Sequence, residues 1–166
     1  MRSVCAIGKC LYLALLLNSV NVWADINVNY SGTGGFPLVG TDCQATFVID
    51  TLDAEVVSTV AECVITDVKT ITGKTLQLAH ELQVGQFPII AGTVGQSRWV
   101  DRLGAEGKVD TTGVTGRWEA YTLQLIENPS EGISQALVIL GGTPRGTAYG
   151  LFELSRRIGV SPYIWW

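Results

Sequence analysis

Residues 136–159, ALVILGGTPRGTAYGLFELSRRIG, leave little freedom in local structure. The apolar run 136–140 reads as a buried strand. Gly141 and Gly142 end it in a tight turn. Thr143 can cap the helix that follows, and Pro144 falls at its first position, where a missing N–H costs nothing. Leu151, Leu154 and Ile158 then share one face, with Ala148 and Phe152 beside it. Arg156 and Arg157 suit the negative end of the helix dipole, and Gly159 supplies the stop. The pattern predicts a helix over 143–158. Gly150 in its interior costs about 1 kcal/mol relative to alanine. A close approach of the helix backbone to a neighbouring strand explains that choice. A buried strand that turns at once into a helix requires a sheet with helices laid on it.

The same alternation runs through the chain. Residues 36–39 form a short strand candidate, and 45–49 (ATFVI) is a β-branched run bounded by turn formers. Residues 51–72 read as a helix with Val57, Val60, Val64, Val68 and Ile71 on one face. Asp50 or Thr51 can cap it, and Gly73 sits where a left-handed cap belongs. Its many β-branched residues lower helix propensity, so packing must hold it. Strands follow at 76–78 and 87–91. A short helix at 97–103 has Ser97 as its cap. Residues 104–116 form a polar, Gly-rich loop. In 118–126, Trp118, Ala120, Thr122 and Gln124 alternate with Tyr121, Leu123 and, less strictly, Ile126, as in a strand with one wet face. The order β, β, α, β, β, α, β, β, α predicts an α+β fold: a mixed β-sheet with helices packed on it.

Residues 1–24 read as a signal peptide. Arg2 and Lys9 give a positive start, LYLALLL an apolar centre, and Val22 and Ala24 a small-residue cleavage site. The apolar run is shorter than the roughly 20 residues of a transmembrane helix. The mature chain is therefore expected to be secreted or periplasmic, with no membrane attachment after cleavage. Residues 25–35 form a Gly/Ser/Asn-rich lead-in, and 36–166 form one domain. The whole-chain net charge is −4, and without Arg2 and Lys9 the remainder is more acidic still. No basic patch tracks along a face, which argues against a nucleic-acid partner.

Catalytic chemistry is sparse. The acids are scattered over helix starts and loops, without the paired carboxylates of glycoside hydrolysis. The single histidine, His80, has no Cys or His neighbour and reads as a loop or strand residue. Cys43 and Cys63 remain after leader removal. Export permits them to pair, but two small buried or half-buried thiols is the preferred reading. No metal and no cofactor are expected. Gly73-Lys74-Thr75 looks like part of a phosphate loop, but position 68 is Val68 rather than Gly, and the tripeptide closes a helix instead of opening one. Gly141-Gly142 lacks the spacing of a nucleotide motif and reads as a strand-to-helix turn. Tyr163, Trp165 and Trp166 begin an aromatic strand at the end of the chain. Trp165 and Trp166 are weak candidates for stacking on a sugar, since core burial is the commoner fate of tryptophan.

Residues 142–166, GTPRGTAYGLFELSRRIGVSPYIWW, closely resemble the end of the N-terminal domain in glycoside hydrolase family 115, the xylan α-1,2-glucuronidases. Arg145, Gly146, Thr147, Tyr149, Gly150, Ile158, Gly159, Val160, Ser161, Pro162, Trp165 and Trp166 match the family pattern. Tyr163 departs from a frequent Trp. Phe36–Val39, residues 89–94 with Ser97, residues 113–119 and residues 136–140 match more weakly. The resemblance implies an enzyme that releases glucuronic acid or its 4-O-methyl form from glucuronoxylan by inversion. It also implies that the catalytic residues lie on a following (β/α)8 barrel, absent from this chain, so no catalytic residue is assigned. Arg145, Gly146, Tyr149, Gly150, Gly159 and Pro162 carry over as a domain-packing motif, with the barrel as partner. Two readings follow. One is the front domain of a secreted glucuronidase, inactive alone; the other is a stand-alone secreted module that binds a glycan or a partner through its terminal aromatics.

Overall fold

The computed structural model describes residues 26–29, 35–40 and 43–160. Among these, β1 (Ile26–Asn29) and β2 (Gly35–Val39) pair antiparallel as a small ribbon. The main sheet has five strands in the order β4-β3-β5-β7-β6. They are β3 (Ala45–Ile49), β4 (Gln77–Ala79), β5 (Phe87–Thr93), β6 (Tyr121–Ser130) and β7 (Ile133–Gly141). β4, β3, β5 and β7 run parallel, and β6 pairs antiparallel with β7 at one edge. The helices are α1 (Glu55–Thr72), α2 (Arg98–Ala105) and α3 (Pro144–Arg157). This is the mixed α+β sheet expected from the sequence, and the half-wet strand is indeed an edge strand.

Side-chain alternation on the parallel strands divides the core into two layers. Phe47, Ile49, Ile89, Ala91, Leu137 and Ile139 face α1 and α3, together with Phe36 and Leu38 of β2. Val48, Ile90, Val138 and Leu140 face α2 and the loop that carries Val109 and Val114. Because strands covered on both faces favour apolar residues, β3, apart from the buried Thr46, and the second half of β7 are hydrophobic runs.

Several local expectations shift. β1 lies inside the segment read as a lead-in. α1 begins at Glu55, not at residue 51, and its N-cap Ala54 makes no side-chain cap bond. The carboxyl groups of Asp50 and Asp53 are engaged elsewhere. Val57, Val60, Val64 and Val68 are buried as predicted, but Ile71 is exposed at the last turn. Gly73 adopts the left-handed conformation (φ 73°) and its N–H closes onto the Lys69 carbonyl. Ser97 does precede α2, without a side-chain cap bond. β6 begins at Tyr121 and not at Trp118, because Glu119 takes a positive φ of 58° and turns the chain. Phe152 points outward, and Cys63 is exposed, opposite the valine stripe of α1, with a free thiol. Cys43 is half-buried and also free.

Candidate functional site

In an open α/β sheet a ligand commonly sits beyond the carboxyl ends of the strands, where the chain order reverses. That point here lies between β3 and β5, since β3 leads through α1 outward to β4 and the chain then returns to β5 on the other side. The protein fills this crevice with its own groups. Asp53 Oδ2 accepts the Thr93 backbone N–H across the gap at 2.6 Å. Asp50, buried, accepts the backbone N–H of Leu52 at 3.1 Å and of Arg98 at 2.7 Å, and its Oδ2 lies 3.4 Å from the Arg98 Nε. Thr147 Oγ1 lies 3.0 Å from Thr93 Oγ1 and donates to the Gly92 carbonyl at 3.2 Å. Thr143 caps α3 by accepting from the Gly146 N–H at 3.2 Å.

Two glycines make this end close-packed. A Cβ on Gly141 would stand 2.2 Å from the Thr147 nitrogen, and one on Gly142 would stand 2.1 Å from the Val114 oxygen. Backbone meets backbone at both positions, so the Gly-Gly pair, read from the sequence as a strand-to-helix turn, is also a packing device. The helix N-terminus that could hold an anion is occupied by its own cap. His80 follows β4, with Nδ1 2.9 Å from the Ile49 carbonyl. Among the described residues, no group of three His, Cys, Asp or Glu side chains could hold a metal ion.

The candidate site that remains is the outer face of α3. Gly146 and Gly150, four residues apart, face inward. A Cβ would lie 2.5 Å from the Ala120 oxygen at Gly146, and 2.7 Å from Ile139 Cγ2 and 3.3 Å from Tyr121 Cβ at Gly150. The helix therefore lies directly on β6 and β7, which is the close approach inferred for Gly150. Arg145 and Tyr149, one residue earlier in each case, face outward. Arg145 Nε donates to the Tyr149 hydroxyl at 2.9 Å and lies 3.2 Å from Glu119 Oε1. Its guanidinium carbon is 5.9 Å from the Trp118 ring centre and 5.6 Å from that of Tyr149. Trp118 is 75% exposed, and Tyr121, Tyr149 and Phe152 are exposed as well. Lower on α3, Arg156 and Arg157 both bond Glu153; the Arg156 hydrogen bond is the main cause that brings the Glu153 carboxyl down to about 2.

The motif residues thus divide by direction. Gly146 and Gly150 seat the helix, Arg145 and Tyr149 present a surface, and Gly159 (φ 98°) ends the helix. Pro162, Trp165 and Trp166 lie outside the described residues. Sequence reasoning did not find Trp118 and Glu119 as partners of Arg145. Their contact depends on the turn before β6 reaching the first turn of α3, for which no local pattern gives a sign.

No protein-family model matches the chain, and no curated protein matches it. Among solved structures, the chain is similar to a family GH115 4-O-methyl-alpha-glucuronidase, BtGH115A, described as having specificity for decorated arabinogalactans. The TM-score is 0.59, with 29% sequence identity over 75% of this chain. The chain spans 15% of the length of that enzyme. Sequence and fold together therefore define a domain related to a glycoside hydrolase. It is similar to one region of a GH115 glucuronidase, in line with the family resemblance of residues 142–166. No helix among the described residues is long and apolar enough to cross a membrane.

Proposed function

We propose that this chain forms the non-catalytic front domain of a secreted or periplasmic glycoside hydrolase that releases glucuronic acid or its 4-O-methyl form from a decorated polysaccharide. The observation that carries the reading is the match to a 4-O-methyl-alpha-glucuronidase over most of this chain but only 15% of the enzyme. The sequence resemblance implies a xylan backbone, whereas the solved neighbour is described as specific for decorated arabinogalactans. The two share the glucuronosyl substituent, so the reading rests on the substituent and leaves xylan as one of two backbones.

In this reading the outer face of α3, with Trp118 and Tyr121, packs against the catalytic barrel. Clustered exposed aromatics mark interaction surfaces. Arg145 already has Glu119 and Tyr149 as partners, so covering the face strands no unpaired charge. The stand-alone binding module draws on the same exposed Trp118 and Tyr149 and is the second reading.

The test has two parts. The purified chain is assayed on glucuronoxylan and on arabinogalactan for released 4-O-methylglucuronic acid, and the transcript is read beyond the codon for Trp166. No release, and an open frame that continues into a (β/α)8 barrel, support the proposal. Turnover by the chain alone, or a stop followed by an unrelated gene, overturns it.

A further inference from the structure

The amino ends of β3, β4 and β5 border a cleft of about 280 Å³, on the side of the sheet opposite the filled crevice. Its walls include Cys43, Gln44, Thr46, Gln77, Gln86 and Phe87, and among the described residues no charged side chain lines it. A water molecule occupies roughly 30 Å³, so the space suits a ligand the size of one ring, at the small end of the range for ligand pockets.

The lining chemistry narrows the class. Each of the three carboxamides offers both an acceptor oxygen and a donor NH₂ group, and Thr46 adds a hydroxyl. Such a set matches hydroxyl groups, which also donate and accept. An anionic ligand would lose hydration without meeting a counter-charge on any of these lining residues. Gln86 Nε2 donates to Gln83 Oε1 at 3.0 Å, but Gln86 Oε1 is buried without a partner. By turning outward, the side chain would gain the missing bond from a hydroxyl in the cleft. Phe87, held edge-on to Phe36 with ring centres 6.4 Å apart, adds an apolar wall.

We propose that this cleft binds one uncharged sugar ring through Gln44, Gln77 and Gln86, with Phe87 as the apolar wall. The inference stands on the cleft alone and does not depend on the role proposed for the α3 face. The test is titration of the full chain with D-xylose, D-galactose and D-glucuronate, followed by amide NMR. Xylose or galactose is expected to shift the side-chain NH₂ signals of Gln44, Gln77 and Gln86 with a Kd of about 1–10 mM. Glucuronate is expected to bind about tenfold more weakly. Gln86→Leu should weaken the neutral sugar about tenfold with an unchanged thermal midpoint, and Gln77→Leu should act in the same direction. The proposal is overturned if no sugar shifts these signals, which would leave a cleft for water only. It is equally overturned if the shifts fall on another surface, survive both substitutions, or appear as strongly with glucuronate.

Discussion

The two ends of the main sheet contain the same kind of defect in opposite settings. Each holds a buried polar atom without a partner, Ser97 Oγ beyond β5 and Gln86 Oε1 before it. Ser97 is fully buried against Gly92, where an added Cβ would lie 2.4 Å from both its Cβ and its hydroxyl. Nothing can enter there. Gln86 stands in the wall of an open cleft. An orphaned polar atom therefore has functional meaning only where the packing leaves space for a partner. At the carboxyl end, Asp50, Asp53 and Thr147 take the positions a ligand would use, and the expected crevice becomes part of the core.

The comparison can be broken most directly at Gly142. If the carboxyl end is as close-packed as the Val114 and Arg117 carbonyls indicate, Gly142→Val costs about 3 kcal/mol or more, read as a lowered urea midpoint. A midpoint equal to the parent's would show that this end has room. Asp50→Ala comes next. It removes the acceptor of two backbone N–H groups, and a loss of about 2–3 kcal/mol is expected. Asp50→Asn keeps one acceptor oxygen but turns an NH₂ toward the other N–H, so it should recover only part of that loss. An Asp50→Ala midpoint equal to the parent's would show that neither bond holds the crevice shut.

Gly150→Val tests the seat of α3. Ile139 is a fully buried, branched side chain and cannot swing away from a new Cβ, so overpacking of about 1–3 kcal/mol is expected in chemical denaturation. The smallest effects sharpen the contrast between the two orphans. Ser97→Ala removes an atom that has no bond to lose, and Gln86→Leu removes one together with an exposed hydrogen bond to Gln83. Both should leave stability within about 0.5 kcal/mol of the parent or slightly raise it. Only Gln86→Leu should alter sugar titration. A large destabilisation by Ser97→Ala would reveal a partner for its hydroxyl and remove the symmetry of the comparison.

Much of the fold was legible before the structure. The α3 region gave its capping threonine, its Pro at the first position, its glycine stop and the packing role of Gly150. The valine stripe of α1 and the branched runs of β3 and β7 reported burial through their periods. The errors have different causes. β6 starts late because Glu119 turns the chain, Ile71 and Phe152 lie at exposed positions of their helices, and the start of α1 involves neighbours distant in sequence. Asp50, for example, was read as a cap by local rules, and Asp53 stands just before the helix start. They instead bond Arg98 and Thr93, 48 and 40 residues on. Of the candidate site, Arg145 and Tyr149 were named from the motif, but Trp118 and Glu119 were not. The carboxamide cleft left no sequence signal at all, since glutamines at 44, 77 and 86 look like ordinary surface.

Periodicity, caps and glycine stops act within a few residues, and so the chain alone determined its α+β class, its helices and most of its buried strands. Strand order acts over the whole chain. Only tertiary structure decided that β5 and α2 come to lie beside Asp50 and Asp53, that the turn at Trp118 reaches Arg145, and that three separate glutamines border one cleft. The physical reason is that a hydrogen bond or a close backbone contact is specified by position in space, and residues far apart in sequence acquire that position only when the sheet is assembled.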